Sequence, residues 1–168
     1  LQKKIKNSIF FILSIFFITS FLHSQEEEFE ILNSKVEKFL SKKNCDSAIY
    51  YSRLLIDYTN KNYSDEKELV AKTLEKEADI LYLCNDFPKS TEKYNKLVPI
   101  FISAFGDKSI NLSRLYNKIG VSYHSNGNIR TSKEFLYKSI NIKKELNQVN
   151  DSSFASALQN YAVICQSL

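Results

Sequence analysis

Cysteine and histidine carry much of the nucleophilic, metal and redox chemistry of proteins, and this chain of 168 residues holds five of them: Cys45, Cys84, Cys165, His23 and His124. A histidine-based triad needs a nucleophile, an imidazole base and an orienting group. His23 lies in an apolar N-terminal run and His124 stands beside Tyr123, so neither sits in such a constellation. The three cysteines have no close pairing and no neighbouring histidine, which leaves out the ligand spacing of a zinc site. Glycine occurs only at Gly106, Gly120 and Gly127, too sparse for a phosphate-cradling loop. The acids Glu26, Glu27 and Glu28 suit a solvated helix start, where negative charge complements the helix dipole. The residues therefore predict no enzyme, no cofactor and no metal site.

The elements that carry these residues read as helices. Between Glu66 and Cys84 the residues Leu69, Val70, Thr73, Leu74, Ala78, Leu81 and Tyr82 recur at steps of three and four, which draws one apolar stripe along an amphipathic helix. Breakers fall at Lys43-Asn44, residues 60–64, Asn85-Asp86 with Pro88, residues 105–108, Asn126-Gly127-Asn128 and residues 147–152. Seven helices fit between them, over 26–42, 45–60, 65–84, 87–103, 109–126, 129–148 and 152–167. Ser64 or Asp65 is placed to cap the third, and Asp151 or Ser152 the last. Two prolines and three glycines are too few for a turn-rich β fold.

These helices repeat. Ala78, Gly120 and Ala162 stand 42 residues apart, and Leu81, Tyr123 and Cys165 follow three residues later in each copy. Cys45, Phe87 and Ile129 share a second register position, with Ala48, Ser90 and Ser132 three residues on. Small residues are needed where two helix axes approach to about 8–10 Å. A period of this length, with two helices per unit, predicts a solenoid in which each unit packs only on its neighbours.

Repeat three carries these features most fully, in Tyr116, Ile119, Gly120, Tyr123, Gly127, Ile129, Ser132 and Leu136. It resembles the tetratricopeptide repeat in its long-linker variety, like the arrays of kinesin light chains. The segment AFGDKS at 104–109 is similar to the linker of that variety. The resemblance covers residues 26–168 and implies an all-α, right-handed superhelical solenoid of antiparallel helix pairs: repeats at 26–60, 65–103 and 109–148, then the first helix of a fourth at 152–168.

The same resemblance implies a non-catalytic scaffold that binds a protein or peptide on a concave face lined by the first helices. Carried over position by position, the peptide-binding residues are Lys72, Glu75, Asp79 and Tyr82 in repeat two, Arg114, Asn117, Val121 and His124 in repeat three, and Gln159, Asn160 and Val163 in repeat four. Asn117 and Asn160 resemble the asparagines that contact peptide backbone in the long-linker family, because a side-chain amide offers both a donor and an acceptor. Lys118 replaces the second asparagine of that motif in repeat three, and Gln159 the first in repeat four. In a stacked array Cys45 and Cys84 lie on one edge, either as a disulfide joining repeats one and two or as two small buried hydrophobes. Cys165 takes the register position of Leu81 and Tyr123, which predicts a core role.

Lys3, Lys4 and Lys6 precede an uncharged run from Asn7 to Gln25 whose apolar core spans Ile9 to Leu22. That pattern predicts a signal peptide over 1–24, cleaved after Ser24, or an uncleaved signal anchor that meets the membrane through residues 5–24. The repeat domain, 25–168, is then periplasmic or secreted, and the wealth of Lys, Asn and Ile points to a bacterial source. Loss of three lysines and no acids lowers the formal charge from +4 to +1. With no basic stripe interleaved with aromatics, nucleic acid is not an expected partner. The first residue is Leu and the last helix has an apolar flank, which reads as a piece of a longer chain. The alternative function is accordingly the sensor arm of a signalling protein whose kinase, caspase-like protease or DNA-binding output lies elsewhere.

Overall fold

The computed structural model describes residues 23–150 and 152–166. The signal segment falls, apart from residues 23 and 24, outside the described residues. Among those described there are seven helices and no strand. Helix α1 covers 23–41. It is followed by α2 (Cys45–Asn62), α3 (Lys67–Leu83), α4 (Phe87–Phe105), α5 (Ile110–Ser125), α6 (Ile129–Glu145) and α7 (Ser152–Gln166). From α2 onward each helix packs on the next in sequence, and α5 also touches α7. No described helix is long and apolar enough to cross a membrane.

The turn inside each repeat is one motif written three times at the 42-residue register. Lys43, Asn85 and Gly127 adopt left-handed backbone with φ of 55°, 63° and 78°. The residues that follow, Asn44, Asp86 and Asn128, send their amides back to the carbonyls of Phe39, Leu81 and Tyr123. This closes the spent helix in a Schellman arrangement. The same Asn44, Asp86 and Asn128 then open the next helix, accepting from the amides of Ser47, Lys89 and Thr131. One residue thus terminates one helix through its backbone amide and caps the next through its side chain, which sets the antiparallel hairpin. Ser109 caps α5 in the same manner, through the amide of Leu112. Helix α3 differs from the expected cap: it starts after Glu66, with no side-chain cap bond, because Ser64 and Asp65 lie too far upstream of its first turn.

Small residues hold the helix pairs close. Ala78 and Ser90 are fully buried, and the Ser90 hydroxyl donates to the Ala78 carbonyl at 2.9 Å. One period later, a Cβ added to Gly120 would lie 2.6 Å from Leu136 Cγ and 3.1 Å from the Ser132 carbonyl oxygen. Only glycine allows α5 and α6 this approach. The hydrophobic core is strung along the array: Val36, Ala48 and Ile80 in one cluster, a larger group including Ala71, Ala78, Tyr94, Leu97, Phe101, Leu115 and Ile119 in the middle, and Ile140, Phe154 and Ala157 at the far end. Stability of this kind is a sum over neighbouring interfaces.

Cys165 departs from the core role expected of it. It is exposed. Its register equivalent Leu81 is buried because α4 follows and covers that side of α3, whereas among the described residues no helix follows α7. Ala162 is exposed for the same reason, while Ile164, facing back into the array, is buried.

Candidate functional site

The first helices of repeats two, three and four, α3, α5 and α7, carry the residues assigned to a binding face. Their contacts begin with a charge cluster between α3 and α5. Lys118 Nζ lies 2.8 Å from both carboxylate oxygens of Asp79 and 2.9 Å from Glu75 Oε1. The Tyr94 hydroxyl, from α4, donates to Asp79 Oδ1. Glu75 and Asp79 are one turn apart on α3, so a single lysine reaching across from α5 meets both.

Partial burial shapes the titration of this cluster. Burial pushes the Glu75 carboxyl above the usual carboxylate range, with the Asp79 charge adding to it, and the attraction of Lys118 and Arg114 offsets only part of the rise. Burial works against the Lys118 ammonium, yet the two carboxylates outweigh it and hold its pKa above the ordinary lysine value. Tyr94 is raised by burial first and by Asp79 second, so it stays a neutral donor at physiological pH. The lysine that breaks the asparagine motif is therefore a charged strut between repeats two and three.

A shallow recess of about 130 Å3 lies beside the strut, lined by Tyr82, Tyr94, Asn117, Lys118 and Val121. The Tyr82 hydroxyl shares a 3.2 Å hydrogen bond with Ser125, and its ring packs on Phe87 at 5.3 Å between centroids. On the other side of α5, Asn160 Nδ2 of α7 donates to Asn117 Oδ1 at 3.2 Å. The two asparagines form a half-buried amide pair that joins repeats three and four.

Of the assigned residues, the structure thus brings together Tyr82, Asn117 and Val121 in the recess, Asn117 with Asn160, and Glu75 with Asp79 through Lys118. Arg114 is exposed but acts on Glu75 through its charge. Lys72 turns elsewhere, its ammonium 5.5 Å from the centroid of Phe105 and 4.0 Å from Glu68. His124, Gln159 and Val163 are exposed on α5 and α7. Lys118 and Tyr94 were not among the expected residues. A carboxylate pair one turn apart on α3, with a lysine beside the register equivalent of Glu75, is the signal that marks the strut in the sequence.

Two further links tie repeats one and two. Cys45 at the start of α2 and Cys84 at the end of α3 are joined by a disulfide, with Cα atoms 6.0 Å apart. Glu77 of α3 is almost fully buried and accepts from Arg53 Nε of α2 at 2.9 Å and Lys93 Nζ of α4 at 2.6 Å. Burial alone would raise the Glu77 pKa; the hydrogen bonds from Lys93 and Arg53 outweigh it and hold the carboxyl below its usual range.

No family model matches the sequence, and no curated protein matches it. Solved structures do match the fold. A kinesin-light-chain-like protein of Podosopora anserina with nearly identical TPR-like repeats aligns at a TM-score of 0.71 and 12% identity, over 83% of this chain and 66% of that one. BtubC (BKLC) from P. vanneervenii aligns at 0.72 and 17% identity, over 84% of this chain and 57% of that one. The TPR2AB domain of yeast Sti1, solved in complex with pHSP90, aligns at 0.62 and 16% identity, over 84% and 49%. The chain therefore spans about half to two thirds of the length of the structures it is similar to. At such identities the likeness is one of architecture: the chain folds as an all-α, TPR-like solenoid of antiparallel helix pairs.

Proposed function

We propose that this protein is an exported, non-catalytic interaction module that holds an extended segment of a partner protein, or a peptide, along the face built by α3, α5 and α7. The observation that carries the reading is the Asn117–Asn160 amide pair. Each carboxamide has a two-hydrogen donor and an acceptor oxygen. The bond between them uses one of each, which leaves the Asn117 amide nitrogen and the Asn160 oxygen as a donor and an acceptor for one peptide unit. The Sti1 domain, of the same architecture, was solved with a bound partner, which adds support by analogy of fold alone. Export draws on the apolar run behind Lys3, Lys4 and Lys6 and on the Cys45–Cys84 bond, since disulfides persist in oxidising compartments.

The experiment is to pan a random dodecapeptide library on the oxidised protein and map the tightest binder by amide chemical-shift perturbation. Shifts centred on Asn117, Val121 and Asn160 are expected. Shifts confined to α2, α4 and α6 would place binding on the opposite side and refute the reading.

A further inference from the structure

The Cys45–Cys84 bond lies at the open edge of the array rather than in its core. Both cysteines are half-buried and line a recess of about 450 Å3 together with Leu40, Lys43, Leu83 and Asn85, a volume in the range of small-molecule sites. We propose that this recess is a thiol-exchange site, where the thiolate of a small reductant attacks Cys84 Sγ, expels Cys45 as a thiolate and unlatches repeat one from repeat two.

The helix ends give the exchange its direction. Cys45 is the first residue of α2 and Cys84 the C-cap of α3, so one sulfur lies at the positive end of a helix dipole and the other at a negative end. A helix N-terminus lowers the pKa of a thiol, and exchange is faster when the departing thiol is the more acidic one. Cys45 is therefore the leaving group. Lys43 brings a positive charge to the recess, which draws a thiolate in and offsets the exposed Asp46 beside Cys45. Asp86, two residues beyond Cys84, is paired with Lys89 at 2.7 Å. Leu83 and Asn85, on either side of Cys84, are exposed and uncharged, and leave that sulfur's flank open.

The step balances without any other reactant. The incoming sulfur bonds to Cys84 Sγ as the Cys84–Cys45 bond breaks, and the electron pair of that bond leaves on Cys45. A second thiolate then takes the first from Cys84, which yields the reductant's disulfide and two reduced cysteines. Beside the bond, the seam between repeats one and two is held by the small buried cluster of Val36, Ala48 and Ile80 and by the pairs Arg53–Glu77 and Lys76–Glu37, in which Arg53 and Glu37 are exposed. The middle of the array has the larger buried cluster and no share in the bond. Because each unit of a solenoid leans on its neighbours alone, the terminal unit opens first.

The test uses the full oxidised chain with the exposed Cys165 alkylated beforehand by iodoacetamide. Brief treatment with reduced glutathione, a quench with N-ethylmaleimide and peptide mapping report which sulfur carries glutathione and which the maleimide. Glutathione on Cys84 with maleimide on Cys45 is expected to exceed the opposite pairing by at least about threefold. An equal mixture, or an excess of glutathione on Cys45, overturns the proposal, and so does a bond that reacts only when the chain is unfolded in urea. After full reduction, amide hydrogen exchange is expected to quicken by about 30- to 800-fold in α1 and α2, the equivalent of a crosslink of this kind, and by less than about threefold in α5 and α6. Equal quickening in all helices, or none in α1 and α2, refutes the latch.

Discussion

Asn160 of α7 donates a hydrogen bond to the carboxamide of Asn117 on α5, two residues 43 apart in sequence and one repeat apart in the array. The register equivalent of Asn117 is Gln159, so the partner of each amide is offset by one residue from its repeat mate. The bond sets the two amides side by side between repeats three and four, and on the proposed reading one peptide unit bridges them.

The Cys45–Cys84 bond closes a loop of 39 residues between repeats one and two. Crosslinks of that span stabilise by about 2–4 kcal/mol, chiefly by restricting the unfolded chain. Protein recovered from an oxidising compartment should give the Cys45–Cys84 linked peptide in non-reducing mapping. Its urea midpoint should fall by an equivalent of about 3 kcal/mol in the Cys45→Ser, Cys84→Ser double variant. Two free thiols in freshly exported protein would end this account of the pair.

Glu77 predicts a pH dependence with a definite sign. Its folded pKa lies below the unfolded value of about 4.5, so its contribution to stability is complete above that value and is lost as pH falls through the folded pKa. Replacement by glutamine should cost about 1–2 kcal/mol at pH 7, at the lower end for a buried ion pair because Arg53 is exposed and Lys93 half-exposed, so both can rehydrate. The gap between wild type and Glu77→Gln should narrow as pH is lowered below about 4.5. A constant gap from pH 7 to pH 3, measured by urea unfolding, would contradict the assignment.

Two glycines of repeat three separate packing from backbone strain. At Gly127 an added Cβ meets nothing within 4 Å, but φ is +78°. Alanine there should cost about 1–2 kcal/mol, the penalty of left-handed backbone. At Gly120 the backbone is helical, yet the added Cβ lies 2.6 Å from Leu136 Cγ. Gly120→Ala should therefore cost more, about 2–3 kcal/mol, and a compensating Leu136→Ala should restore less than it removes. Equal losses at the two positions would show that the α5–α6 approach is looser than described. The reverse change, Lys43→Gly, should stabilise by about 0.5–1 kcal/mol, since Lys43 holds the same left-handed turn as Gly127.

Much of this architecture was legible before the structure. Lys43-Asn44, Asn85-Asp86 and Gly127-Asn128 announce the hairpin turns because a left-handed residue followed by an Asx cap is a local device that depends on nothing distant. The pairs Ala78 with Ser90 and Gly120 with Ser132 announce the close crossings for a similar reason. What stayed hidden depends on how helices are rotated against one another. Periodicity shows that Asp79 and Lys118 lie on polar faces, but not that those faces meet, nor that Tyr94 reaches Asp79 from the second helix. Glu77 reads as a surface acid in a charged stretch until α2 and α4 close over it. Cys165 reads as core because its register mates are core; its exposure follows from what covers each helix, a property of neighbours rather than of the residue.

The central claim is that an extended segment is held through the Asn117–Asn160 pair. The most direct measurement is the affinity of the selected dodecapeptide for wild type and for the Asn117→Ala, Asn160→Ala double variant, by isothermal titration calorimetry with melting temperature followed in parallel. Losing two hydrogen bonds worth about 0.5–1.5 kcal/mol each predicts binding about 5- to 150-fold weaker with melting nearly unchanged, because both side chains are only half-buried. Unaltered affinity in the double variant would contradict the account.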